Sequence, residues 1–130
     1  MIHGDVFEIS NFVSFLQTDR IKKPTWYYAV PTIHKALILH LNKQPLKNHH
    51  LRFARSGADH LNHTDAMELA ELLSCPVVRT YSMTECMPVC ACEVKLDMSK
   101  VDTVGKAVCC DLKIIDVETN RACEIGEVGE

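Results

Sequence analysis

Ile9, Phe12, Val13 and Leu16 recur at steps of three, four and seven residues. That spacing lays out one apolar face and predicts a helix over residues 8–20, ended by Lys22, Lys23 and Pro24. Residues 25–30 are dense in aromatic and β-branched side chains and read as a buried strand. Pro31 then opens a second helix carrying Ile33, Leu37 and Leu41, since a proline in the first helical turn forfeits no intrahelical bond. Residues 42–50 are polar, contain Pro45 and lack any period, so they form a surface connection. A second strand resumes over residues 51–55, and Gly57 turns the chain. Ala66, Leu69, Ala70 and Leu73 mark a helix over residues 65–73, and residues 75–79 read as a third strand.

Strands that alternate with helices need crossover connections, so the fold class is α/β, a mostly parallel sheet flanked by helices with right-handed units. Beyond Met98 the pattern changes to short strands. Residues 112–117 are the clearest of these, followed by a turn at residues 118–121. The chain divides accordingly into an α/β part, residues 1–98, and the truncated start of a β-rich subdomain, residues 99–130. There is no internal repeat and no low-complexity segment.

Composition narrows the function classes. The 14 Lys and Arg against 17 Asp and Glu give a net charge of −3. No basic stripe is present to neutralise a phosphate backbone, which disfavours nucleic acid as a partner. No apolar run approaches the ~20 residues that cross a bilayer. Met1 is followed by His3, Gly4 and Asp5 and not by a basic, then greasy, leader. Seven cysteines at irregular spacing fit a reducing compartment, so the expected location is intracellular, cytoplasmic or peroxisomal. Cys86, Cys90, Cys92, Cys109 and Cys110 lack paired metal-knuckle spacing and read as small hydrophobes. His49, His50, His60 and His63 read as solvated or capping side chains.

The candidate chemistry lies at Tyr81-Ser82-Met83-Thr84-Glu85, just past the third apolar strand. Ligands of open α/β sheets collect outside the carboxyl ends of strands. An aromatic face, a hydroxyl and a carboxylate at such an end can serve a base, a phosphate oxygen and Mg²⁺. The bland alternative is a strand-to-loop transition in which Thr84 bonds its own backbone.

Other segments fall in one family order. Residues 25–34, reading TWYYAVPTIH, are similar to the segment "TWYSAVPTIH". Residues 51–58, LRFARSGA, are similar to "LRFIRSGGAPL", and residues 81–85 to "YGMTE". Residues 104–108 resemble "VGKPV" and residues 126–130 "GEIGE". On these motifs the chain resembles a central slice of the large N-terminal domain of an adenylate-forming, AMP-binding acyl-CoA synthetase, closest in wording to the oxalate-CoA ligase-like branch. Met1 then reads as internal to a longer protein, with room for an upstream targeting segment.

The resemblance implies ATP, Mg²⁺ and CoA acting on a small carboxylic acid, which passes through an acyl-adenylate to a thioester. It implies that Glu85 holds Mg²⁺, Thr84 donates to a phosphate oxygen and Tyr81 stacks on adenine. Ser82 and Met83 complete that nucleotide segment, and the backbone of Gly57, Ala58 and Asp59 approaches the adenine ring. His34 and Trp26 belong to the segment that backs the acyl pocket, although core packing explains either residue as well.

The match departs from the family pattern in two places. Asp59 stands where the family has Ala, a carboxylate awkward beside phosphates unless it caps the following helix. Pro88 stands where the oxalate-like branch carries His, which puts oxalate itself in doubt. The family's phosphate loop "TSGTTGxPKG", its "TGD" ribose carboxylate and its catalytic Lys are not in this sequence, so the chain alone is expected to be inactive. The rival readings are a non-catalytic remnant or interaction module that keeps the fold, and a cysteine-dependent hydrolase. No Cys–His pair here has a recognisable nucleophile setting, which ranks the hydrolase last.

Overall fold

The computed structural model describes residues 7–18, 23–94 and 103–130. Its elements are helix α1 (Ile9–Leu16), strand β1 (Trp26–Ala29), helix α2 (Pro31–Leu41), strand β2 (Phe53–Ser56), helix α3 (His63–Leu73) and strands β3 (Val77–Met83), β4 (Cys86–Ala91) and β5 (Lys106–Ala107). The first helix stops at Leu16, short of the expected residue 20; residues 19–22 lie outside the described residues. The expected boundary at residues 98 and 99 also lies outside them.

The strands form one sheet in the order β1-β2-β3-β4-β5. β1, β2 and β3 are parallel, as the crossovers require, with Tyr28 opposite Arg55 and Ser56 opposite Arg79. β4 and β5 then add antiparallel hairpin partners. β3 runs through Met83, four residues beyond the expected strand end at residue 79, because β4 folds back and pairs with its second half. In place of a strand over residues 112–117 there is a single bridge, Ile115 to Ala122.

Successive crossovers of one hand between neighbouring strands place their helices on the same side of a sheet. α2 accordingly packs on α3, and α1 on α2. Beneath them Leu37, Leu41, Leu69 and Leu73 are fully buried against Tyr27, Ala29 and Ala54. Alternation along β1 then turns Trp26 and Tyr28 to the opposite face, where they are 47% and 50% exposed. Trp26 stacks on Phe53 with centroids 5.7 Å apart, and the Arg55 guanidinium lies 5.3 Å from the centre of the Tyr28 ring. Trp26 is therefore half-exposed on the bare side of the sheet and not a core residue. No helix among the described residues is long and apolar enough to cross a membrane.

Candidate functional site

The carboxyl end of β2 is held to the middle of β3 by side chains as well as by the ladder. The Thr80 hydroxyl donates to the Ser56 carbonyl at 3.1 Å and accepts from Arg55 Nε at 3.2 Å. Gly57 follows in a seam with no room for a side chain. A Cβ there would lie 2.9 Å from Thr80 Oγ1 and 3.0 Å from Tyr28 Cε2. Any larger residue would have to push the Thr80 hydroxyl or the Tyr28 ring aside.

The next residue, Ala58, sits at φ 70°, in the left-handed region. An alanine there costs roughly 1–2 kcal/mol, a cost that the second glycine of the family pattern would avoid. Asp59 does not cap the following helix. Its Oδ1 accepts from the His60 N–H at 2.7 Å, while Asn62 is the N-cap of α3 and accepts from the Asp65 N–H at 2.8 Å. The asparagine lies directly before the helix, where its side chain reaches the free N–H groups of the first turn.

Tyr81, Ser82 and Met83 form the end of β3, and Thr84 and Glu85 form the tight turn into β4. Tyr81 and Met83 are each 43% exposed, and Thr84 and Glu85 are exposed. An aromatic face, a hydroxyl and a carboxylate are thus presented to solvent at the end of β3 and in the turn that follows it. Among the described residues no group of three or more His, Cys, Asp or Glu could hold a metal ion. Glu85 offers one carboxylate, which fits Mg²⁺ held jointly with substrate phosphates and water, the usual manner for that ion.

A cavity of about 50 Å³ opens between the end of β2 and the middle of β3. Ser56, Asp59, His60 and Leu61 line it from the β2 side, Arg79 and Thr80 from β3, and Thr103 and Val104 from the later chain. Of the expected nucleotide residues Asp59 alone lines it; Gly57, Ala58 and residues 81–85 do not. Ser56 Oγ is buried there without a hydrogen-bond partner. Apart from Asp59, sequence reasoning missed this lining. Its signal was a polar residue at the end of each apolar strand, Ser56 in one and Arg79 with Thr80 in the other.

His34 and Trp26 are not brought together. His34 is fully buried on α2, on the helical side of the sheet, where its Nδ1 meets the Tyr27 hydroxyl at 3.2 Å. Burial lowers its pKa to about 4, against a smaller upward pull from the carbonyls of Arg55 and Ala29. Those carbonyls lie outside hydrogen-bonding geometry, so Nε2 has no partner. Burial likewise pushes the Tyr27 hydroxyl above its ordinary range and the Cys75 thiol up to about 11.

Residues 11–130 match the family described as "AMP-binding enzyme". Over 96 residues the chain is 38% identical to the probable CoA ligase CCL9 of Humulus lupulus, covering 72% of this chain and 18% of that protein. Over 68 residues it is 35% identical to the acyl-CoA synthetase ALT10 of Alternaria alternata, covering 52% of this chain and 12% of that one. Among solved structures, a long-chain-fatty-acid-CoA ligase (FadD1) from Archaeoglobus fulgidus superposes with a TM-score of 0.81 at 23% identity, over 95% of this chain and 26% of its own. A benzoate CoA ligase from Burkholderia xenovorans LB400 gives 0.78 at 20% identity, over 93% and 24%. The fold is shared with these enzymes, and the chain spans less than a fifth of either curated relative.

Proposed function

This chain belongs to the AMP-binding enzyme family, and on that premise we propose that it forms the adenylate-binding centre of an acyl-CoA synthetase, an enzyme joining a small carboxylic acid to CoA at the expense of ATP. The observation that carries the reading is the meeting of the end of β2 with the middle of β3, where the parallel pairing stops. The Gly57 turn closes against Thr80, and the next residue, Tyr81, begins the exposed stretch that ends at Glu85.

In this reading the Tyr81 ring stacks on adenine, with Ser82 and Met83 beside it and the backbone of Gly57, Ala58 and Asp59 along the ring edge. Thr84 donates its hydroxyl to a phosphate oxygen. Glu85 would hold Mg²⁺, and the ion would supply positive charge against the phosphates. The acid's carboxylate oxygen attacks the α-phosphorus and pyrophosphate leaves; the CoA thiol then attacks the acyl carbon and AMP leaves. Trp26, on the bare sheet face, is the proposed contact to the acid side. His34, sealed on the other side, would act on the acid only through Tyr27 and β1. Turnover needs the phosphate loop, ribose carboxylate and catalytic Lys of the family pattern, which this sequence does not contain. The odd number and irregular spacing of the seven cysteines support a reducing cytoplasmic or peroxisomal setting.

The test is calorimetric titration of the folded chain with ATP and Mg²⁺, beside Glu85→Ala. Loss of a charged ligand contact costs roughly 1.5–3 kcal/mol, so affinity should fall at least about tenfold in the variant. Equal binding by both proteins would sink the assignment of Glu85. No binding by a folded wild-type chain would favour the interaction-module reading, to which the strained Ala58 and the carboxylate of Asp59 lend support.

A further inference from the structure

Ala54 and Ser56 alternate onto the same face of β2, and the register sets Val77 beside the first and Arg79 beside the second. Ala54 belongs to the core and Val77 packs against it, so the Ser56 side chain lies on the helical side of the sheet, where the leucine core gives way to polar residues. One wall of the cavity there is the segment leading to α3, with Leu61 fully buried and Asp59 exposed. The other wall is pinned to β3 through the end of β4. The Arg79 carbonyl accepts from the Cys92 N–H at 3.0 Å, and the Cys92 thiol donates to the Thr103 carbonyl at 3.3 Å. The Thr103 hydroxyl then accepts from the Gly105 N–H at 3.0 Å, and Gly105 lies so close to the Ala91 main chain that no side chain would fit. Both walls are fixed, so the space around Ser56 cannot close by a small shift.

Into this space Ser56 brings a hydroxyl that is 1% exposed by residue and bonded to nothing in the protein. A buried hydroxyl without a partner is costly, and native structures nearly always supply one from protein or from ordered water. The cavity of about 50 Å³ exceeds the ~10–15 Å³ that one water needs. Among the described residues no group could hold a metal ion, and the Asp59 carboxylate in the lining disfavours an anion. We propose that the cavity is a hydration site, in which ordered water joins the Ser56 hydroxyl to the opposite walls and braces the chain where it enters the Gly57 turn. Water accepts the Ser56 hydroxyl hydrogen and donates its own across the cavity. Asp59 Oδ1 already takes the His60 N–H, which leaves Oδ2 as an acceptor, and the Thr103 hydroxyl oxygen is a second. Asp59 and His60 are exposed, which gives water a way in. The inference stands apart from any nucleotide binding.

The first measurement is the electron density of the crystallised wild-type chain. The expected result is a water peak within hydrogen-bonding distance of Ser56 Oγ and of a second polar atom of the lining. Clear density for Ser56 with no such peak overturns the proposal. The second measurement compares urea unfolding of the wild type and Ser56→Ala. Removing a hydroxyl that is bonded to water should lower the midpoint, whereas removing an unpaired one should raise it. A raised or unchanged midpoint therefore also overturns the proposal. The density requires no variant, so a Ser56→Ala chain that fails to fold cannot hide the result.

Discussion

Between β1 and β3, Leu37, Leu41, Leu69 and Leu73 are fully buried, whereas from residue 103 onward no side chain is buried at all. Both stretches are rich in aliphatic residues. In the first, each strand is followed by a helix that folds back on it, so neighbours in sequence supply both sides of the core. In the second, Ile115 and Glu130 exchange two main-chain hydrogen bonds of 2.8 Å, yet Ile125 and Val128 stand bare in solvent. Backbone pairing alone contributes little net stability in water, because it replaces hydrogen bonds to solvent. A layer to bury against separates the two regions, and among the described residues the tail has none.

The sharpest test of that contrast sets Leu69→Ala against Ile125→Ala. The first should cost about 2–5 kcal/mol in urea unfolding and the second under about 0.5 kcal/mol. Comparable losses would show that the tail carries a core of its own. A second test uses acid. His34 is buried neutral with its pKa lowered to about 4. The unfolded chain therefore binds the extra proton first, and stability should fall as pH drops from about 6.5 toward 4, by roughly 3 kcal/mol in total. Unfolding measured across that window should be steeper in the wild type than in His34→Leu; equal slopes would remove His34 as the cause. The smallest effect compares two polar contacts. Asn62→Ala removes the N-cap of α3 and should cost about 1 kcal/mol, whereas Arg121→Ala breaks an exposed pair with Glu127 in the tail and should cost a few tenths. A larger loss at Arg121 would give the tail more cooperativity than its exposure implies.

Strand, helix and strand were legible from residue 25 to residue 79 because each apolar face there is met by its immediate neighbour, so a local period predicts the element. β4 was not legible. Cys86–Ala91 shows no alternation and contains Pro88, which ordinarily argues against a strand between two partners. The register between β3 and β4 shifts where Tyr81 and Met83 pair with Cys90 and Cys86, and Pro88 falls inside that irregular stretch, where a missing N–H is tolerated. Residues 112–117 misled in the opposite sense, since their hydrophobicity reads as a strand but only Ile115 finds a bridge partner. At the site, the exposed segment from Tyr81 to Glu85 and the Gly57 turn were visible as motifs. The cavity between Ser56 and Arg79 was not, because it depends on the register of two strands more than 20 residues apart in sequence.

The chain has a single tryptophan, and it stands on the bare face of the sheet, stacked on Phe53. Indole fluorescence responds to the water around the ring, so Trp26 is a native optical reporter for that face. Whatever comes to cover the sheet, another segment of protein or a bound acid, must change the solvent shell of this one chromophore, and no label has to be attached for the event to be seen.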